Sequence, residues 1–145
     1  MTGFFKHRPD PRFAALRAVP MFADLPEAAL RRVDRQLAEL DLPAGTVLTR
    51  QDDLGREVFV IVEGLAAISV DGKPVCGASA GDLIGEISLL DSGPRTATVT
   101  ALTPMRVYVL DPRQFGALFE EPQTSRWIAT HLAKRLRRNT VAAVG

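Results

Sequence analysis

Two side chains of opposite charge, Glu86 and Arg95, bracket the segment Gly85-Glu86-Ile87-Ser88-Leu89-Leu90-Asp91-Ser92-Gly93-Pro94-Arg95-Thr96. A guanidinium is a planar fork with a permanent charge, and it takes a phosphate or carboxylate in bidentate fashion. Pro94 fixes the backbone just before Arg95 and narrows the directions its side chain can take. Gly85 allows a positive φ and lets a ligand come close to the main chain. The run Ile87-Ser88-Leu89-Leu90 is long enough for one helical turn, and the free amides that start such a turn attract an anion. Glu86 would repel that anion, so its carboxylate suits another part of the same ligand, such as a hydroxyl. A hydroxyl acceptor and an anion clamp on one loop point to a sugar phosphate. The plainer alternative is a structural bridge between Glu86 and Arg95. Such a bridge needs neither the glycine nor the proline between them, nor Gly85 before them.

A loop of this kind needs a rigid frame, and the pattern on either side supplies one. Residues 1–10 read as an arm, with the domain running from 11 to 145. Phe13, Leu16 and Arg17 mark a short helix that starts near Pro11 and stops at Pro20. Asp24-Leu25-Pro26-Glu27 reads as a second helix start with an acidic cap. Leu30, Val33, Leu37 and Leu40 follow it at helical spacing. From Pro43 the period changes to that of strands. Thr46–Arg50, Val58–Val62, Leu65–Val70, a strand through Val75, Thr96–Ala101 and Met105–Leu110 are separated by glycine- and proline-bearing turns. Short strands punctuated in this way indicate a small antiparallel roll or sandwich. The remainder is helical. Asp111-Pro112 caps a helix with Phe115, Leu118 and Phe119 on one face, and Glu121-Pro122 breaks the chain. Ile128, Leu132 and Leu136 line the last helix, with Trp127 and His131 beside them and Val141–Gly145 as a frayed tail.

The segment Ile84-Gly85-Glu86-Ile87-Ser88-Leu89, followed by Pro94-Arg95-Thr96-Ala97-Thr98-Val99, resembles the phosphate-binding cassette of cyclic nucleotide-binding domains. Ile84 stands where that family has an aromatic residue, and Ser88 where it has a small apolar one. Leu42-Pro43-Ala44-Gly45-Thr46-Val47-Leu48 and Val58–Gly64 resemble two further family marks, whereas Gln51-Asp52-Asp53 replaces its usual Gln-Gly-Asp. The resemblance covers Phe13–Arg138. It implies an antiparallel, jelly-roll-like β-roll with an N-terminal helical bundle and two C-terminal helices, mainly β with flanking helices. It also implies a cAMP or cGMP ligand. Arg95 would pair with the exocyclic oxygens of the cyclic phosphate. Glu86 would accept the ribose 2′-hydroxyl. Amides near Gly85, Ile87, Ser88 and Thr96 would complete the cradle, with Pro94 setting the approach. Thr96 leaves the purine open between the two messengers, with cAMP favoured. Trp127, His131, Arg135 and Arg138 are candidates to cap the base, although Trp127 and His131 also suit plain packing.

Composition narrows the field. The 145 residues carry 46% hydrophobic and 24% charged residues and a net charge of +1, as in an ordinary soluble domain. Nothing in that balance points to nucleic acid or a membrane surface. Cys76 is the only cysteine, so no intrachain disulfide forms and a reducing, cytoplasmic setting is expected. Val58–Val62 is far too short to span a bilayer. The two histidines, His7 and His131, fall outside the strands, which argues against a cupin-like metal enzyme. Ser88 has no candidate base. The expectation is a sensor with no catalytic residue, no metal and no cofactor other than its cyclic nucleotide. It would act on an effector in trans, as a homodimer, or as the sensor fragment of a larger regulator. A degenerate fold serving as an interaction module is the alternative.

Overall fold

A computed structural model describes residues 11–85 and 93–144. Among the described residues, helix α1 (Pro11–Ala18), a 3-10 turn (Pro20–Phe22) and helix α2 (Glu27–Gln36) precede eight strands: β1 (Ala38–Leu42), β2 (Val47–Thr49), β3 (Val58–Glu63), β4 (Ala66–Val70), β5 (Lys73–Ala78), β6 (Leu83–Ile84), β7 (Thr98–Ala101) and β8 (Met105–Leu110). Helices α3 (Pro112–Phe119) and α4 (Pro122–Val144) close the chain. The strands form two antiparallel sheets, β1-β8-β3-β6 and β2-β7-β4-β5. This is the expected β-roll with helices at both ends.

The alternation of side chains explains why β3 is apolar without a break. Val58 and Val60 join the core shared with the helices, whereas Phe59 and Ile61 join the core between the sheets. The same split holds in β8, where Tyr108 and Leu110 face the helices and Met105 and Val107 face the second sheet. A strand covered on both faces loses the polar half of its pattern. On β8, between its two neighbours, Arg106 bridges Glu39 and Asp41 of β1 and Glu63 of β3.

Several expectations need correction. Helix α2 begins at Glu27 behind Pro26, with no side-chain cap bond, so Asp24 does not cap it. The 3-10 turn occupies the chain up to Phe22, and Leu25 donates to the Phe22 carbonyl, which carries Asp24 away from the helix start. Leu40 does not continue the helical stripe. The helix ends at Gln36, and Leu40 pairs with Val107 in β1, 43% exposed. Phe119 also lies partly in solvent, 40% exposed, so only Phe115 and Leu118 of the expected face are buried. The last helix runs to Val144, through most of the stretch from Val141 expected to fray. The start of α3 is as expected. Asp111 accepts from the Gln114 amide at 2.7 Å, and the Gln114 side chain accepts from the Asp111 amide at 2.9 Å. Asp111→Ala should cost about 1 kcal/mol, read as a lower melting temperature in calorimetry.

Candidate functional site

The Arg95 side chain lies in a slot, 6% exposed. Its Nη2 donates to the Glu57 carbonyl at 2.8 Å and its Nη1 to the Gly85 carbonyl at 3.2 Å. Two glycines shape the slot. A Cβ on Gly55 or on Gly85 would collide with the guanidinium. Gly85 also has φ +93, and its Cβ would stand 2.8 Å from the Glu57 carbonyl oxygen. No other residue type fits there without moving either the arginine or the strand entry.

The main chain of Arg95 is pinned as firmly as its side chain. Its amide donates to the Asp53 carbonyl and its carbonyl accepts from the Asp52 amide, both at 2.8 Å. Asp52 adopts φ +72. Next in sequence, Thr98 Oγ1 accepts from the Gln51 amide at 3.0 Å, and Thr49 Oγ1 donates to the Ala97 carbonyl at 3.0 Å. The strand entering the segment is equally fixed. Gly81 donates to the Ile61 carbonyl, Ile61 donates to the Asp82 carbonyl, and Ile84 pairs with Phe59. Both ends of the segment Gly85–Arg95 therefore rest on β3 and on the loop before it.

Of the site residues expected from sequence, Gly85 and Arg95 come together at the slot. Pro94 and Thr96 flank Arg95 and are exposed. Glu86, Ile87 and Ser88 lie outside the described residues, as does the helical turn through Leu90 and the arm at 1–10. Gly55 and Glu57 carry half of the slot. Nothing in the sequence marked them beyond Gly55 bounding a strand.

A small cavity of about 50 Å³ lies between the second sheet, β6 and α4. Its wall includes Ile68, Cys76, Ala78, Asp82, Ile84 and His131. The His131 ring stacks on Trp127, with centroids 4.8 Å apart and planes 14° apart, and Trp127 packs half-buried on the helical core. Of the expected base caps, His131 therefore reaches a cavity, and Trp127 stands behind it. The side chains of Arg135 and Arg138 lie outside the described set. Ile68 and Cys76 had no sequence signal other than their place in strands. Among the described residues no group of three His, Cys, Asp or Glu side chains is arranged to hold a metal ion. No described helix is long and apolar enough to cross a membrane.

A family model described as cyclic nucleotide-binding domain matches residues 39–122. The chain is 36% identical over 121 residues to a cyclic nucleotide-gated potassium channel of Rhizobium etli, covering 81% of this chain and 34% of the channel. It is 29% identical over 126 residues to a CRP-like cAMP-activated global transcriptional regulator of Mycobacterium tuberculosis, covering 81% of this chain and 55% of the regulator. It therefore spans between a third and just over half of these relatives. Among solved structures, a cAMP-binding acyltransferase from Mycobacterium smegmatis superposes with a TM-score of 0.72 at 32% identity, covering 88% of this chain and 41% of that one.

Proposed function

The chain belongs to the cyclic nucleotide-binding domain family, and from that membership we propose a regulatory domain that binds cAMP in preference to cGMP. One observation carries this reading: the Arg95 guanidinium sits buried against Gly85, at the entrance of the motif. Two carbonyls fix that fork beside the cassette, and a guanidinium held in place suits bidentate contact with a phosphate. Arg95 grips the exocyclic oxygens of the cyclic phosphate, with Pro94 aligning it. Glu86 accepts the ribose 2′-hydroxyl. Amides near Gly85, Ile87, Ser88 and Thr96 complete the cradle. The preference for cAMP is supported by the names of the mycobacterial regulator and acyltransferase, both of which specify cAMP.

The base then faces Ile68, Cys76 and His131. A volume of about 50 Å³ holds little more than one water's share of liquid, far less than a purine. A shift of α4 about a hinge near residues 116–122 widens this space for the base. A relay of contacts supports that coupling. A Cβ on Gly81 would lie 3.0 Å from Pro20, and the Pro20–Phe22 turn packs against α4. The chain acts as a sensor spanning 11–145 in the cytoplasm. It passes the signal to an effector in trans, to a second copy, or to further parts of a longer regulator. It is read as regulatory rather than catalytic.

Melting curves test the reading. At a hundredfold excess over Kd, cAMP should add about 2.7 kcal/mol, a rise of several degrees. AMP, which lacks the cyclic diester, should add far less. No shift with either cAMP or cGMP at millimolar concentration would overturn the proposal.

A further inference from the structure

A second cleft lies beside the Arg95 slot, between β2 and the loop that leads into β3. Its volume is about 380 Å³, within the range of small-molecule sites. Arg50, Arg56 and Arg95 line it, together with Asp53 and Glu57, over an apolar wall that includes Phe59. It shares no lining residue with the His131 cavity. Arg50 and Arg56 are exposed, and among the described residues neither forms an ion pair. Arg31 pairs with Glu27, Arg32 with Glu121 and the half-buried Arg106 with three carboxylates, whereas Arg35, Arg113, Arg126 and Arg137 are exposed without an ion pair among the described residues but line no such cleft.

We propose that this cleft is a second ligand site, for a small phosphate-bearing molecule, and that Arg95 couples it to the cassette. Three guanidinium groups line one concavity, and the exposed Arg50 and Arg56 can each take a compact anion in bidentate fashion. The two carboxylates face the rest of the ligand and suit hydroxyl or ammonium groups next to its phosphate. The cleft floor is the slot itself. The Arg95 guanidinium that lines the cleft also donates to Gly85. Gly55, which walls the slot, belongs to the same loop as Arg50 and Arg56. An anion drawn to Arg95 from the cleft competes with the cassette for one cation. The site stands on the cleft alone, whereas the coupling rests on the function proposed above. Linkage makes the effect reciprocal, so each ligand weakens the other by the same factor.

Inorganic pyrophosphate is the probe. Amide spectra of the full chain, titrated with pyrophosphate, should show saturable shifts confined to residues 47–57 and 95. In the Arg50→Gln/Arg56→Gln double variant the affinity should fall about five- to tenfold, the loss of two exposed guanidinium contacts. Both side chains are exposed, so the variant should melt like the parent. Shifts that do not saturate, or that persist unchanged in the double variant, would overturn the site. Saturating pyrophosphate should also weaken cAMP binding severalfold, and unchanged cAMP affinity would remove the coupling. If pyrophosphate saturates the cleft while neither cyclic nucleotide binds, the site stands and the cyclic nucleotide reading falls.

Discussion

Arg95→Ala should weaken cyclic nucleotide binding by one to two orders of magnitude in calorimetric titration. A buried contact to a charged group is worth about 1.5–3 kcal/mol, and each 1.4 kcal/mol is tenfold in affinity. The loss grows if the phosphate stays desolvated with nothing to replace the guanidinium. The same change should lower stability without ligand. It removes donors from the Glu57 and Gly85 carbonyls and empties a slot that two glycines leave open. A buried acceptor left without a donor costs about 1–3 kcal/mol. Arg95→Lys separates the two effects. Its ammonium keeps the charge and fills part of the slot, but it lacks the fork that reaches two acceptors at once. Stability should recover more than affinity in that variant. Equal affinity for wild type and Arg95→Ala would remove this residue from the site.

Gly85→Ala should be strongly destabilising and should also abolish binding. A left-handed backbone costs an alanine roughly 1–2 kcal/mol before any contact is counted. The new Cβ would also meet the Glu57 carbonyl at 2.8 Å and displace the Arg95 guanidinium. The melting temperature should fall by several degrees, and binding should be lost along with the arginine's position. Gly116→Ala is the matched control. Its Cβ would have nothing within 4 Å, and the residue lies inside α3, so the substitution should leave stability unchanged or raise it by about 0.5–1 kcal/mol. Similar melting of the two variants would show that the slot does not constrain Gly85.

The contrast between these glycines shows what could be read from sequence. Signals that act over a few residues were legible. Asp111-Pro112 marked a helix start, and Asp111 does cap α3, in a box that Gln114 completes. The unbroken run at β3 marked a strand covered on both faces. Leu40 misled because leucine continues a helical stripe as readily as it joins a strand, and only pairing with β8 decides between them. The departure at Asp52 proved mild. The residue takes φ +72, a left-handed backbone that glycine adopts freely and aspartate tolerates, and its amide still holds the Arg95 carbonyl. The partners of Arg95 were not legible. Glu57 contributes a backbone carbonyl, which leaves no trace in residue type, and Gly55 is set against the guanidinium only by the path of the loop. The cavity wall at Ile68, Cys76 and His131 joins two strands to a helix far along the chain, and no local pattern encodes that meeting.

A crystal structure of the chain grown with cAMP tests the central claim most directly. The account predicts that Arg95 lies within hydrogen-bond distance of the exocyclic phosphate oxygens, Glu86 on the ribose 2′-hydroxyl, and the purine between the second sheet and a displaced α4. A nucleotide seated elsewhere, with Arg95 donating to the Glu57 and Gly85 carbonyls and not to its phosphate, would contradict it.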